Sequence, residues 1–160
     1  MGLRHGLPAI AAVLLAAACA TRPIDLPASF VELQDAGQGL RAMTSDDARL
    51  WHRAMYDRTD ADVAFWAESL ENDLLERGYE VVGEADVESR DGARGRLLEC
   101  TANVGGERVG YLVAVWARRP SPFAFWLDGT WLQIVEFAAA QEAYDAHVGA
   151  VRAALGTVRW

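Results

Sequence analysis

The second half of this chain is a succession of short runs in which apolar and polar residues alternate, with a turn signal after most of them. Alternation with a period of two is typical of strands, and Val109, Tyr111, Val113 and Val115 fall on one face of such a run. The Asp-Gly and Gly-Gly pairs between runs indicate short turns, which favour antiparallel neighbours. The strands predicted in this half are 80–88, 96–103, 108–117, 123–127 and 130–137.

Three further strands are predicted before residue 57, at 30–33, 40–44 and 49–56. The clearest helix follows them, with an N-cap at Thr59 or Asp60 and a C-terminal glycine at Gly78. A second helix is predicted over 138–155. The apolar stripes are Val63, Trp66, Ala67, Leu70 and Leu74 in the first helix, and Tyr144, Val148, Val151 and Leu155 in the second. The expected fold class is α+β, an antiparallel β-sheet flanked by two main helices.

The first twenty residues have the pattern of an export signal. Arg4 gives a short positive region, and the apolar run over 7–18 is shorter than the about 20 residues that a membrane-spanning helix needs. The stretch Ala17-Ala18-Cys19 resembles the lipobox of bacterial lipoproteins, although Ala16 stands where that motif usually has leucine. The resemblance implies that Cys19 becomes the first residue and carries acyl chains such as palmitate. The alternatives are an ordinary secretory signal cut at an A-x-A site and a buried internal helix.

These features predict a signal peptide over 1–18, a lipidated Cys19 with a short tether over 19–29, and a single domain over 30–160. The residue after Cys19 is Ala20, and in lipoproteins of double-membraned bacteria the lack of aspartate there implies the periplasmic face of the outer membrane. Loss of Arg4 with the signal changes the formal net charge from −8 to −9. Because an acidic protein is repelled by phosphate backbones, nucleic acid is not an expected partner.

The order of the predicted elements is similar to that of the PsbP-like sandwich family, which includes DcrB-like bacterial lipoproteins. The segments that carry the resemblance include LLERGYEVV, ERVGYLVAV and WLQIVEFAA. The resemblance implies an α/β/α sandwich used mostly to bind other proteins. It transfers no individual functional residue apart from the lipobox Cys19.

Candidate chemical groups have simpler explanations in the sequence. Asp57, Asp60 and Asp62 are close enough in sequence for a Ca²⁺ site but also suit the capping of the first helix. His52 and His147 remain after signal removal, and two histidines are too few for a typical zinc site. A hydrolytic triad would combine one of them with an acid and with Ser45, Ser69 or Ser121. No nucleophile motif supports this, so we expect no catalytic, metal or cofactor site.

The chain contains six tryptophans and, besides Cys19, one cysteine, Cys100, which its apolar neighbours predict to be buried in a strand. Trp51, Trp66 and Trp116 lie in patterned elements and are expected in the core. Trp126 and Trp131 flank the Asp128-Gly129 turn, so they either form a partner-binding pair or pack across the hairpin. We therefore expect a membrane-anchored lipoprotein that binds an envelope protein and is not an enzyme. The alternative is a small exported hydrolase or metal-dependent enzyme.

Overall fold

The computed structural model describes residues 22–33, 39–119 and 129–160. The predicted signal peptide, Cys19, Trp126 and the predicted strand 123–127 lie outside these ranges. Neither helix within them combines the length and the apolar character that crossing a bilayer requires.

The described residues form one antiparallel seven-stranded sheet with two helices, which confirms the predicted α+β class. Along the sheet the strands are ordered β1-β2-β3-β7-β6-β5-β4. The strands are β1 (Val31–Glu32), β2 (Leu40–Met43), β3 (Arg49–Asp57), β4 (Glu80–Glu88), β5 (Arg94–Val104), β6 (Glu107–Arg118) and β7 (Thr130–Ala140). The helices are α1 (Val63–Glu76) and α2 (Gln141–Leu155).

The two helices cover opposite faces of the sheet, because successive residues of each strand point to opposite sides. In β6, Val113 and Val115 pack with α1 residues such as Leu74. Their neighbours Leu112 and Trp116 pack instead in the larger core that contains the α2 residues. Trp116 is fully buried, whereas Trp51 and Trp66, also expected in the core, are only partly buried. The result is an α/β/α arrangement with one apolar core on each side.

The start of α1 differs from the prediction. Asp62, and not Thr59 or Asp60, is the N-cap, and its carboxylate accepts a hydrogen bond from the backbone N–H of Phe65. The hydroxyl of Thr130 donates to the carbonyl oxygens of Thr59 and Ala61, which holds the preceding segment against β7. The carbonyl oxygen of Thr59 is therefore engaged outside the helix, and the helix begins after Asp62, whose side chain caps it.

The end of α1 is as predicted. Gly78 has a φ of +84°, in the left-handed region that favours glycine. The N–H groups of Gly78 and Tyr79 donate to the carbonyl oxygens of Leu75 and Leu74, which is the hydrogen-bond pattern of a Schellman motif.

The second helix begins three residues later than predicted, at Gln141. Ala138 and Ala140 belong to β7, where they pair with Tyr111 and Val109 of β6. Three consecutive alanines suit a helix by propensity, but the pairing of β7 on both sides keeps Ala138 extended. The predicted stripe of α2 is confirmed, since Tyr144, Val148, Val151 and Leu155 all pack in the larger core.

The prediction of a tether over 19–29 needs correction for its described part. Ile24 is fully buried, and the N–H of Arg159 donates to the carbonyl oxygen of Pro23. The hydroxyl of Thr157 accepts from the N–H of Asp25, whose carboxylate also pairs with the guanidinium of Arg159. The chain is therefore docked against the C-terminal residues from Pro23 onward.

Candidate functional site

Of the predicted site residues, Trp131 is the one that the structure describes. It lies near the start of β7 on the α2 side of the sheet, opposite Tyr56 in β3 and Arg118 in β6. Its ring centroid is 5.1 Å from that of Tyr56, with the ring planes tilted by 55°. The residue is 45% exposed. An indole packed on one side and exposed on the other supplies a rigid apolar contact area at the surface.

A cleft of about 640 Å³ adjoins this end of the sheet. Arg118, next to Trp131, contributes to its wall and also places its guanidinium 5.9 Å from the centroid of the Trp160 ring. Arg119 and Arg94 line the same cleft, and Arg119 pairs with Asp60 at 2.9 Å. An exposed tryptophan beside an arginine, next to a cleft lined by two more arginines, has the composition that is enriched at protein interfaces.

A second surface lies on the other side of the sheet, where α1 packs over β4, β5 and β6 and no helix of the described residues packs over the side chains of β1–β3. We call this surface the open face; its residues are Val31, Leu33, Arg41, Met43, Arg49, Trp51, Arg53 and Met55. A cavity of about 460 Å³ is lined by several of them. Val31 and Met55 are 68% and 43% exposed. The open face is thus both apolar and basic, on a chain that is acidic as a whole.

The arginines of the open face are held in place by their neighbours. The guanidinium carbons of Arg41 and Arg53 lie 4.5 and 4.9 Å from the centroid of the Trp51 ring. Arg53 also pairs with Glu136 at 3.1 Å, and the same carboxylate accepts a hydrogen bond from the hydroxyl of Tyr111. Burial and the adjacent Glu136 charge raise the pKa of Tyr111 well above its usual range. These contacts order two cations around one indole ring.

The three aspartates considered for Ca²⁺ have separate roles. Asp57 accepts hydrogen bonds from Thr59, and the bond from the Thr59 hydroxyl, followed by that from its N–H, lowers the pKa of the Asp57 carboxyl. Asp60 pairs with Arg119, and Asp62 caps α1. Within the described ranges, no group of three or more histidine, cysteine, aspartate or glutamate side chains is arranged to hold a metal ion.

His147 on α2 lies between an acid and a hydroxyl that the sequence did not connect. Its Nε2 is 3.0 Å from Oδ2 of Asp46, and its Nδ1 is 3.3 Å from Oγ of Ser29. The hydroxyl of Thr44 donates to the same Asp46 carboxylate, and this bond, followed by that of His147, lowers the Asp46 pKa. The Ser-His-Asp order is that of a hydrolytic triad, but neither Ser45 nor Ser69 contributes to it, and Ser121 lies outside the described residues.

The remaining candidates are buried. His52 is 3% exposed, and its Nε2 is 2.9 Å from Oε1 of Gln133, whose amide donates to the carbonyl oxygen of Arg159. Desolvation lowers the pKa of His52, which favours the neutral ring. Cys100 is 1% exposed in β5, and burial raises the pKa of its thiol to about 11. A nucleophilic thiol needs the opposite shift.

Sequence reasoning missed the open face and the Ser29–His147–Asp46 arrangement. The period-two pattern of β3 contained a signal for the first, since Trp51, Arg53 and Met55 form one face of the strand. No local signal existed for the second, because its three residues come from three distant segments.

No protein family model matches the sequence, and no curated protein matches it either. Solved structures do match. One is LpqN, involved in cell envelope biogenesis of Mycobacterium tuberculosis, with a TM-score of 0.68, 10% identity, and coverage of 83% of this chain and 78% of that one. Another is PA94 from Pseudomonas aeruginosa, a protein of unknown function and putative regulator, with a TM-score of 0.57, 16% identity, and coverage of 90% and 87%. At these identities the chain is similar to both proteins in fold.

Proposed function

We propose that this protein is a non-catalytic binding module of the cell envelope, anchored to a membrane through acylated Cys19. It engages another envelope protein through a surface that contains Trp131, and Trp126 is proposed to belong to the same surface. The proposed location is the periplasmic face of the outer membrane.

The observation that carries the binding role is the exposure of Trp131. Tyr56 fixes the orientation of the indole ring from one side, so little conformational freedom is lost when a partner covers the other side. Arg118 and Tyr56 are its neighbours across the sheet, and tryptophan, tyrosine and arginine are the residues that most often dominate binding energy. The fold likeness to LpqN, a protein involved in envelope biogenesis, supports an envelope setting for this role.

The binding role is tested by two alanine variants. The partner is first identified as the protein that crosslinks to this chain in the native envelope. Trp131→Ala should weaken binding to that partner by about 2 kcal/mol, roughly 30-fold. Phe65→Ala is the matched control, since Phe65 is also about half exposed and also packs on an aromatic neighbour, Trp66. The control should leave capture unchanged. Equal losses in the two variants, or no loss in Trp131→Ala, would refute the assignment of Trp131.

The anchor is tested separately by the intact mass of the protein extracted from membranes. A mature chain that begins at Cys19 and carries acyl chains is the expected result, and Cys19→Ala should abolish both the processing and the modification. An unmodified mature chain that begins at any other residue would refute the anchor.

A second candidate function, an exported hydrolase, is favoured by the Ser29–His147–Asp46 arrangement. Ser29 would be the nucleophile, His147 the base and Asp46 the group that orients it. The 3.3 Å separation of the hydroxyl and the imidazole, and an Asp46 side chain that is 48% exposed, favour a structural role for these bonds. A fluorophosphonate probe decides between the two functions. Labelling that disappears in Ser29→Ala would establish the hydrolase, and the absence of labelling would exclude Ser29 as an activated nucleophile.

A further inference from the structure

The docked N-terminal segment fixes where a lipid on Cys19 would meet the domain. Arg22 is the first described residue, and its guanidinium pairs with Glu32 of β1 at 3.0 Å. Its carbonyl oxygen accepts a hydrogen bond from Arg159. Three residues of fully extended chain reach at most about 11 Å, so Cys19 must lie within that distance of Arg22. A lipid on Cys19 would therefore hold the β1 edge of the sheet close to the bilayer.

The β1 edge carries the side chains that suit a bilayer surface. We define the edge patch as Arg22, Val31, Leu33 and Arg41. Val31 and Leu33 are 68% and 40% exposed, although both are large apolar residues on the outermost strand. The Arg41 guanidinium lies over the ring of Trp51. Apolar side chains next to arginine and tryptophan match the mixed environment of lipid head groups.

The most acidic segment of the chain lies toward the opposite edge, although Asp25 and Glu32, both paired with arginines, lie near β1. Residues 62–88, which include α1 and β4, contain nine acidic side chains and one arginine, a formal charge of −8 that equals that of the whole chain. Six strand spacings of about 4.8 Å place β4 roughly 29 Å from β1. Because the screening length is about 8 Å at physiological ionic strength, those acidic side chains repel an anionic surface at β1 only weakly.

We propose that the edge patch rests on the anionic phospholipid head groups of the bilayer into which Cys19 is anchored. The proposal rests on the acylation put forward above. Because Arg22 is already paired with Glu32, the attraction to an anionic surface comes mainly from Arg41. This weak attraction becomes effective because the short tether keeps the patch beside the bilayer. Val31 and Leu33 enter the head-group layer, and Trp131, on the α2 side of a central strand, stays available to a partner.

The test compares two valines at opposite edges in the acylated, full mature protein. Val31→Cys and Val82→Cys place a thiol on β1 and on β4, and the native residues are 68% and 55% exposed. Each thiol is labelled with an environment-sensitive NBD fluorophore, because Cys19 is acylated and Cys100 is buried. The protein is then reconstituted in vesicles of phosphatidylethanolamine and phosphatidylglycerol, or of phosphatidylcholine alone.

We expect the label at position 31 to shift to shorter wavelength and to be quenched by spin-labelled lipids. The label at position 82 should remain in water. Quenching at position 31 should be stronger in vesicles that contain phosphatidylglycerol. Equal water exposure of both labels in a protein whose acylation is verified by mass would overturn this proposal and leave the anchor intact. Equal quenching in both vesicle types would overturn the choice of an anionic surface, and an unacylated Cys19 would overturn the anchor and this proposal together.

Discussion

Replacing Gly110 with alanine tests how closely α2 is packed on the sheet. A Cβ atom at position 110 would lie 2.2–2.6 Å from three ring atoms of Tyr144, well inside ordinary contact distance. Tyr144 cannot move without cost, because it is 7% exposed and stacked on Phe137 at 5.2 Å. Overpacking of this kind costs about 1–3 kcal/mol, and loss of the aromatic stack adds about 0.5–1.5 kcal/mol. We therefore expect Gly110→Ala to lower the free energy of unfolding by about 1.5–4.5 kcal/mol.

Urea denaturation measures this effect, and two further variants make the reasoning refutable. Gly149 lies within α2, and a Cβ there would have nothing within 4 Å beyond the adjacent residues and backbone of its own helix, so Gly149→Ala should stabilise the domain by about 0.5–1 kcal/mol. In a Tyr144→Ala background the Gly110→Ala cost should largely disappear, because the clashing ring is gone. A cost that is the same in both backgrounds, or similar midpoints for Gly110→Ala and Gly149→Ala, would contradict the packing described here.

Three other predictions concern single positions. Gly78→Val should lower the free energy of unfolding by more than about 1 kcal/mol, measured by urea denaturation, because φ is +84° although the space around the residue is open. An unchanged midpoint would show that this backbone conformation is not required. Burial lowers the pKa of His52 below its usual 6.5, so between the two pKa values the unfolded chain binds a proton at His52 that the folded chain does not. The free energy of unfolding should therefore fall as the pH drops below about 6.5. This fall should be steeper than in the His52→Gln variant. Parallel pH profiles for the two proteins would exclude His52 as the cause. Cys100, whose pKa is raised to about 11, should resist iodoacetamide at pH 8 in the folded protein and react once urea unfolds it; rapid modification of the native protein would contradict its burial.

The elements that the sequence predicted well are those whose signals are local. Gly78 follows the last turn of α1, and its positive φ depends only on the adjacent hydrogen bonds to Leu74 and Leu75. The strands β4 to β7 were likewise predicted from the alternation of polar and apolar residues within each strand. The prediction of the N-cap of α1 was wrong because a residue distant in sequence determines where the helix begins. Thr130 binds the carbonyl oxygens of Thr59 and Ala61, and nothing near those residues in sequence indicates this.

The surfaces were harder to predict because exposure depends on where the helices lie. Each face of β3 carries both apolar and polar side chains, and the sequence does not indicate that α1 packs over β4–β6 and leaves Trp51 and Arg53 only partly buried. The segment with Pro23 and Pro27 lacked periodicity and was interpreted as a tether. Ile24 is nevertheless buried, because the C-terminal residues more than 130 positions later fold over it. Trp131 is also exposed because the neighbouring strands β3 and β6 end beside it, and the sequence of β7 alone does not show where those strands end.

The most direct measurement of the binding role is site-specific photocrosslinking in intact cells. A photoreactive amino acid is placed at position 131 and, as a control, at position 65, the exposed aromatic position on α1. If Trp131 contacts an envelope protein, the label at 131 forms one discrete protein adduct, identified by mass spectrometry, and the label at 65 does not form it. Adducts with lipid alone at position 131, or the same set of proteins at both positions, would contradict a partner-binding surface at Trp131.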